Sequence, residues 1–74
     1  MSTRVYVVAR GERGEGNSPE AVFTTLAVAR RWAEMTYGPL TRLIDDGPGH
    51  WMWALANGVD QVAISRHPIR RSLT

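Results

Sequence analysis

The sequence predicts a small α+β domain: an antiparallel sheet in the order β-β-α-β-β-β with one helix packed on one face. Three observations predict it. Val5-Tyr6-Val7-Val8-Ala9 and Ala21-Val22-Phe23-Thr24 are strand-like runs on either side of a glycine-rich stretch. Leu26 to Tyr37 carries apolar residues at helical spacing. His50 to Ala56 alternates in character and meets Asn57-Gly58, a strong hairpin signal, before a last apolar run.

Taken in chain order, Arg4 to Arg10 is the first strand, with Val5, Val7 and Ala9 on one face and Arg4, Tyr6, Val8 and Arg10 on the other. Gly11 to Ser18 has no apolar residue and is expected to be a mobile loop. Pro19 leads into a second strand, Glu20 to Thr24. Thr24 or Thr25 caps the helix, its hydroxyl accepting from an orphan backbone N–H. Around that helix Leu26, Val28, Ala29, Trp32, Ala33, Met35 and Tyr37 are expected on the dry arc, and Ala27, Arg30, Arg31 and Glu34 on the wet one. Gly38-Pro39 ends it. Leu40 to Ile44 is a third strand, and Asp45 to Gly49 is turn chemistry. In the fourth strand Trp51, Trp53 and Leu55 share a face opposite His50, Met52 and Ala54. The last strand, Gln61 to Arg66, turns Val62 and Ile64 inward, and Pro68 ends it.

A chain of 74 residues holds one domain, residues 1 to 74, with a loose arginine-rich tail from 68 to 74. So small a chain buries only about 60% of its unfolded surface. It has no cysteine to cross-link it, so the core or self-association must supply its stability. The three tryptophans are expected to centre that core. No run approaches the roughly 20 apolar residues that span a bilayer, and no signal-peptide pattern opens the chain, so a cytoplasmic location off the membrane is expected.

All nine basic residues are arginine. With abundant Ala, Gly and Val, this reads as the composition of a GC-rich bacterial genome or its phage. The charge is uneven: Arg66, Arg70 and Arg71 face no acidic residue after Asp60. That tail is the candidate nucleic-acid contact, because clustered guanidinium groups neutralise phosphates. Arg4 and Arg10 extend it only if the first and last strands are neighbours. A solvated tail is the alternative.

Val5-Tyr6-Val7-Val8-Ala9-Arg10-Gly11-Glu12, followed by Ala21-Val22-Phe23-Thr24-Thr25, resembles a family of small uncharacterised α+β domains in bacterial and phage proteins, whose openings read like "VYVVTRGE" and "VFST". The match covers the first half of the chain. It implies a compact domain, often encoded alone, and it brings no catalytic residues.

A nucleophilic triad needs a hydroxyl or thiol beside a histidine oriented by a carboxylate. Ser18, Ser65, Ser72, His50 and His67 form no recognisable arrangement, and Asp45-Asp46 before His50 lacks a third ligand for a metal. The glycine-rich stretch has two glutamates and no P-loop lysine. We therefore expect no enzyme, cofactor or metal.

The expected function is non-enzymatic binding: a small phage or mobile-element protein that occupies a surface on a host protein, as an inhibitor of a defence or regulatory complex does. The alternative is a nucleic-acid-binding accessory protein. If Val5 and Val7 face the helix with Trp51 and Trp53, then Tyr6, Val8, Met52 and His50 lie on the uncovered side of the sheet. They are the candidate interface residues, for a host protein or for a homodimer at micromolar concentration.

Overall fold

The computed structural model describes residues 4–12 and 16–68. The elements run β1 (Arg4–Glu12), β2 (Gly16–Phe23), α1 (Leu26–Tyr37), β3 (Leu40–Gly47), β4 (His50–Leu55) and β5 (Asp60–Pro68). The five strands form one antiparallel sheet in the order β2-β1-β5-β4-β3, and the helix lies mainly across β1, β2 and β5.

The ladder fixes which side chains share a face, because cross-strand partners in an antiparallel pair point the same way. Val8 stands opposite both Ala21 and Ile64, Ile64 opposite Trp51, and Val62 opposite Arg10 and Trp53. These residues face the helix. Val8, Val62 and Ile64 are fully enclosed, as are the helix residues Ala29 and Ala33 that lie on them. Small alanines let the helix approach the sheet closely, and each enclosed Val or Ile contributes about 1.5–3 kcal/mol by leaving water. Tyr6, Phe23, Leu26, Trp32, Tyr37, Leu40 and Trp51 pack around this centre.

Tyr6 and Val8 therefore lie under the helix, and Val5 and Val7 on the outer face, the reverse of the sequence expectation. The run Val5–Ala9 is apolar on both sides, so alternation alone does not say which side is covered. Trp51, Trp53, Leu55, Val62 and Ile64 do face inward as expected. Of the three tryptophans Trp53 is a buried member of the core, while Trp32 and Trp51 are half-buried and pack against it; the largest fully buried side chains are Ile64, Val8 and Val62.

On α1 the buried centre is Ala29 and Ala33. At about 100° per residue, Val28 and Met35 fall about 120° or more from that centre. They are exposed, Met35 at 78%, and do not join the dry arc. Thr25 is the N-cap, its Oγ1 accepting from the Val28 N–H at 3.2 Å. At the other end Gly38 adopts φ 96°, a conformation that favours glycine, and its N–H returns to the Glu34 carbonyl.

The glycine-rich stretch is shorter as a loop than expected. β1 and β2 stay paired out to Glu12 opposite Gly16, and Gly11 is needed there because a Cβ would collide with the Gly16 carbonyl oxygen. Pro19 sits inside β2, next to a break in register after Val8, where an edge strand tolerates the missing N–H. β3 extends through Asp45, Asp46 and Gly47, leaving only Pro48-Gly49 as the turn. The expected Asn57-Gly58 turn is present: the Asn57 Oδ1 accepts from the Val59 and Asp60 N–H groups at 2.8 and 2.9 Å.

The face assignment is directly testable. Ile64→Ala is expected to lower unfolding free energy by about 2–5 kcal/mol in denaturant titration. Val8→Asp is expected to abolish cooperative unfolding, whereas Val7→Asp, one residue away, keeps it.

Candidate functional site

The face of the sheet opposite the helix is built from alternate residues of every strand. Val22, Val7, Ser65 and His50 form one cross-strand row, and Pro19, Ala9, Ala63, Met52 and Asp45 the next. Val5 pairs with His67 at one end, while Gly11, Gln61, Ala54 and Arg42 cross the other. The middle is apolar and low in relief, and polar groups stand around it. Ala54 and Ala63 are buried, at 6% and 5% exposed, yet they stand outside the cluster under the helix, so neighbouring side chains on this face shield them. Val22, at the β2 margin, is 59% exposed. Such an apolar area with a polar border is the form that interaction surfaces take.

Of the four candidate interface residues, Met52 and His50 stand on this face; Tyr6 and Val8 do not. Val5, Val7, Ala9, Val22, Ala54 and Ala63 complete the surface, and sequence reasoning missed them. The available signal was the alternation of large and small residues in His50–Leu55 and Gln61–Ser65, which marks Ala54 and Ala63 as residues of a second, flatter face.

At one end of this surface the His50 Nδ1 donates to the Asp45 Oδ2 at 2.8 Å, the carboxylate being an acceptor only. Ser65, directly opposite His50 on the neighbouring strand, bonds instead to the His67 Nε2 at 2.9 Å. A hydroxyl, two imidazoles and a carboxylate thus lie together. A triad needs one imidazole to bridge hydroxyl and carboxylate, and here the two bonds fall on different rings. Among the described residues no three His, Cys, Asp or Glu side chains converge to hold a metal ion.

The arginines divide by environment. Arg10 pairs with Asp60 at 2.8 Å and lies over the Tyr37 ring at 5.7 Å, so it is held on the helix side. Arg30 pairs with Glu34 and lies over Trp53 at 5.4 Å. Leu26, Ala27, Arg30, Arg31 and Glu34 line an open groove of about 550 Å³ along the helix. β1 and β5 are neighbours, with Arg4 opposite Pro68 and Arg66 opposite Tyr6, so Arg4 and Arg66 share one end of the sheet. Arg70 and Arg71 lie outside the described residues.

Burial raises the Tyr37 phenol above its usual value, the Glu20 carboxylate adds to the rise, and the Arg10 guanidinium opposes it. The neutral phenol is thus favoured in the folded chain. Its stabilising contribution is full below about pH 10 and is lost as pH rises through the higher folded value. In an alkaline ultraviolet titration, Tyr37→Phe is expected to remove an ionisation step above that of a free tyrosine.

No family model matches the chain, and comparison with curated proteins and with solved structures gives no match. No helix among the described residues is long and apolar enough to cross a membrane.

Proposed function

We propose that this chain is a non-enzymatic binding protein that docks a host protein on the outer face of its sheet. The observation that carries the reading is that face: Val5, Val7, Ala9 and Met52 stand half-exposed on it around the shielded Ala54 and Ala63, with the helix on the other side of the sheet. The split hydrogen bonding of Ser65 and His50 supports binding over catalysis, since neither imidazole is placed to take the Ser65 proton while held by a carboxylate. The resemblance of Val5–Glu12 and Ala21–Thr25 to bacterial and phage domains supports a phage or mobile-element origin. An inhibitor of a defence or regulatory complex is the role we assign.

Affinity capture from a high-GC bacterial lysate tests this when wild type and Val7→Asp are run side by side. The expected result is a host protein retained by wild type and lost with the folded variant. Identical retention by both would remove the outer face from the reading. Full biological activity is expected in the His50→Ala, His67→Ala double variant, and its loss in a folded protein that still retains the host protein would favour an enzyme instead.

A second reading, nucleic-acid binding, is favoured by one specific observation: the pairing of β1 with β5 sets Arg4 at the same end of the sheet as Arg66 and His67. The sequence carries Arg70 and Arg71 just beyond. This reading predicts a duplex-DNA gel shift that weakens steeply with salt, by about 0.9 in log–log slope per phosphate neutralised. Replacing Arg4, Arg66, Arg70 and Arg71 with alanine then abolishes it. No shift at low salt eliminates it.

A further inference from the structure

On the covered side of the sheet, one end gathers aromatic rings and guanidinium groups. We infer that Arg4, Tyr6, Trp51 and Arg66 form a binding site for single-stranded DNA, an inference that rests on the nucleic-acid reading above and gives it a ligand.

The ladder brings these residues together. Arg66 stands directly opposite Tyr6 across β5 and β1, and Arg4 precedes Tyr6 on the same side of β1. That diagonal sets the two arginine backbones about 7–8 Å apart. Trp51 reaches over from β4, its ring 6.2 Å from that of Tyr6 and tilted by 36°. Both rings are half-buried, resting on the core on one side and open to water on the other. Trp51 keeps its exposure because β4 lies beside the strands that the helix mainly crosses.

Arg66 is seated without a carboxylate. Its backbone N–H donates to the Gly49 carbonyl at 2.8 Å, and its side chain lies against the Pro48-Gly49 turn, where a Cβ on residue 49 would stand 3.5 Å from Nε and Nη2. That turn leads directly into the strand that carries Trp51. Among the described residues neither Arg4 nor Arg66 forms an ion pair, whereas Arg10 and Arg30 are tied to Asp60 and Glu34.

Charge is divided along the sheet. Glu12 and Asp60 face each other at the far end of the β1–β5 ladder, about 27 Å along β1 from Arg4. At the near end the covered side carries the carboxylate of Asp46, opposite Trp51 on β3, which bounds the site on the side away from Arg4. An anionic chain is therefore drawn to the corner that Arg4 and Arg66 share.

The guanidinium groups suit phosphate, and the rings decide between a duplex and a single strand. In a duplex the base faces are closed against one another, while an unpaired base lays its face on an aromatic ring. Rings beside unpaired guanidinium groups thus suit an unpaired strand. Neither contact draws on a 2′-OH, so DNA is sufficient.

Fluorescence anisotropy with labelled oligothymidylate of about 12 nucleotides, within the span that such sites take, tests this. Duplex DNA of equal length, oligouridylate and oligoglutamate are run beside it. The whole chain is expected to bind oligothymidylate at low salt, more tightly than the duplex or oligoglutamate and no less tightly than oligouridylate. Trp51→Leu keeps apolar cover beside Ile64 but has no ring to stack on, and it is expected to weaken binding about five- to a hundredfold, with Trp51→Phe restoring most of it. Arg4→Ala and Arg66→Ala are each expected to lower the log–log salt slope by about 0.7. Circular dichroism reports the fold, and if Trp51→Leu does not fold the arginine variants decide.

A duplex bound as tightly as the single strand overturns the site and leaves the nucleic-acid reading standing. A folded Trp51→Leu that binds like wild type, or arginine variants with an unchanged slope, likewise overturns the site. Tighter binding of oligouridylate or oligoglutamate overturns the assignment to DNA. No binding of single strand or duplex at low salt overturns both the site and the nucleic-acid reading.

Discussion

The register that places Val8 opposite Ile64 decides most of what this molecule is. It is one pairing in the β1–β5 ladder, yet strict alternation carries it along both strands. Through β4 it sets Trp51 and Trp53 toward the helix, and through β2 it does the same for Ala21 and Phe23. A slip of β1 by one residue against β5 would bring Val5, Val7 and Ala9 under the helix and expel Tyr6, Val8 and Arg10. Tyr6 would then lose its place beside Trp51, and Arg10 its pairing with Asp60 and its seat over Tyr37. The ring contacts and the ion pair on the covered face therefore favour the register that the alternation of β1 leaves ambiguous.

One helix of twelve residues cannot cover both sides of a five-stranded sheet. Where it does lie, over β1, β2 and β5, the cover is close, because alanine supplies the contact. Beyond it, Leu43 and Ile44 on β3 are 47% and 42% exposed. The opposite face answers differently. Its middle residues are small, so little apolar area protrudes, and it stays flat rather than deeply hydrophobic. That compromise suits a surface which must be compatible with water in the free chain and still shed water against a flat protein partner.

How far the sequence was legible follows from local contrast. In β4 the alternation of Trp, Trp and Leu with His, Met and Ala is unambiguous, and both the strand and its inner face were readable. In β5, Val62 and Ile64 stand against Ala63 and Ser65 with similar clarity. β1 has no such contrast, and the charged ends of the Arg4–Arg10 face misdirected the reading toward solvent. Arg10 in fact satisfies its charge on Asp60 and lays its guanidinium over Tyr37, so it borders the covered face without being buried in it. Gly11 to Ser18 looked like a loop because it lacks apolar side chains. Backbone pairing does not require them, and Gly11, Glu12, Gly16, Asn17 and Ser18 all pair in the ladder. The site was half legible for the same reason: Met52 and His50 come from a strand with contrast, Tyr6 and Val8 from one without.

The polar end of the outer face bears on what kind of surface this is. His50 is tied to Asp45 and Ser65 to His67, so each polar group there has a partner supplied by the chain itself. No buried side-chain nitrogen or oxygen among the described residues is left without a hydrogen bond. A catalytic site typically holds groups in strained or unsatisfied arrangements that substrate completes. A docking surface has the opposite need: its polar border must be satisfied alone, so that burying the apolar middle does not strand a donor or acceptor. The pairing of both histidines within the border meets that need in the proposed docking surface.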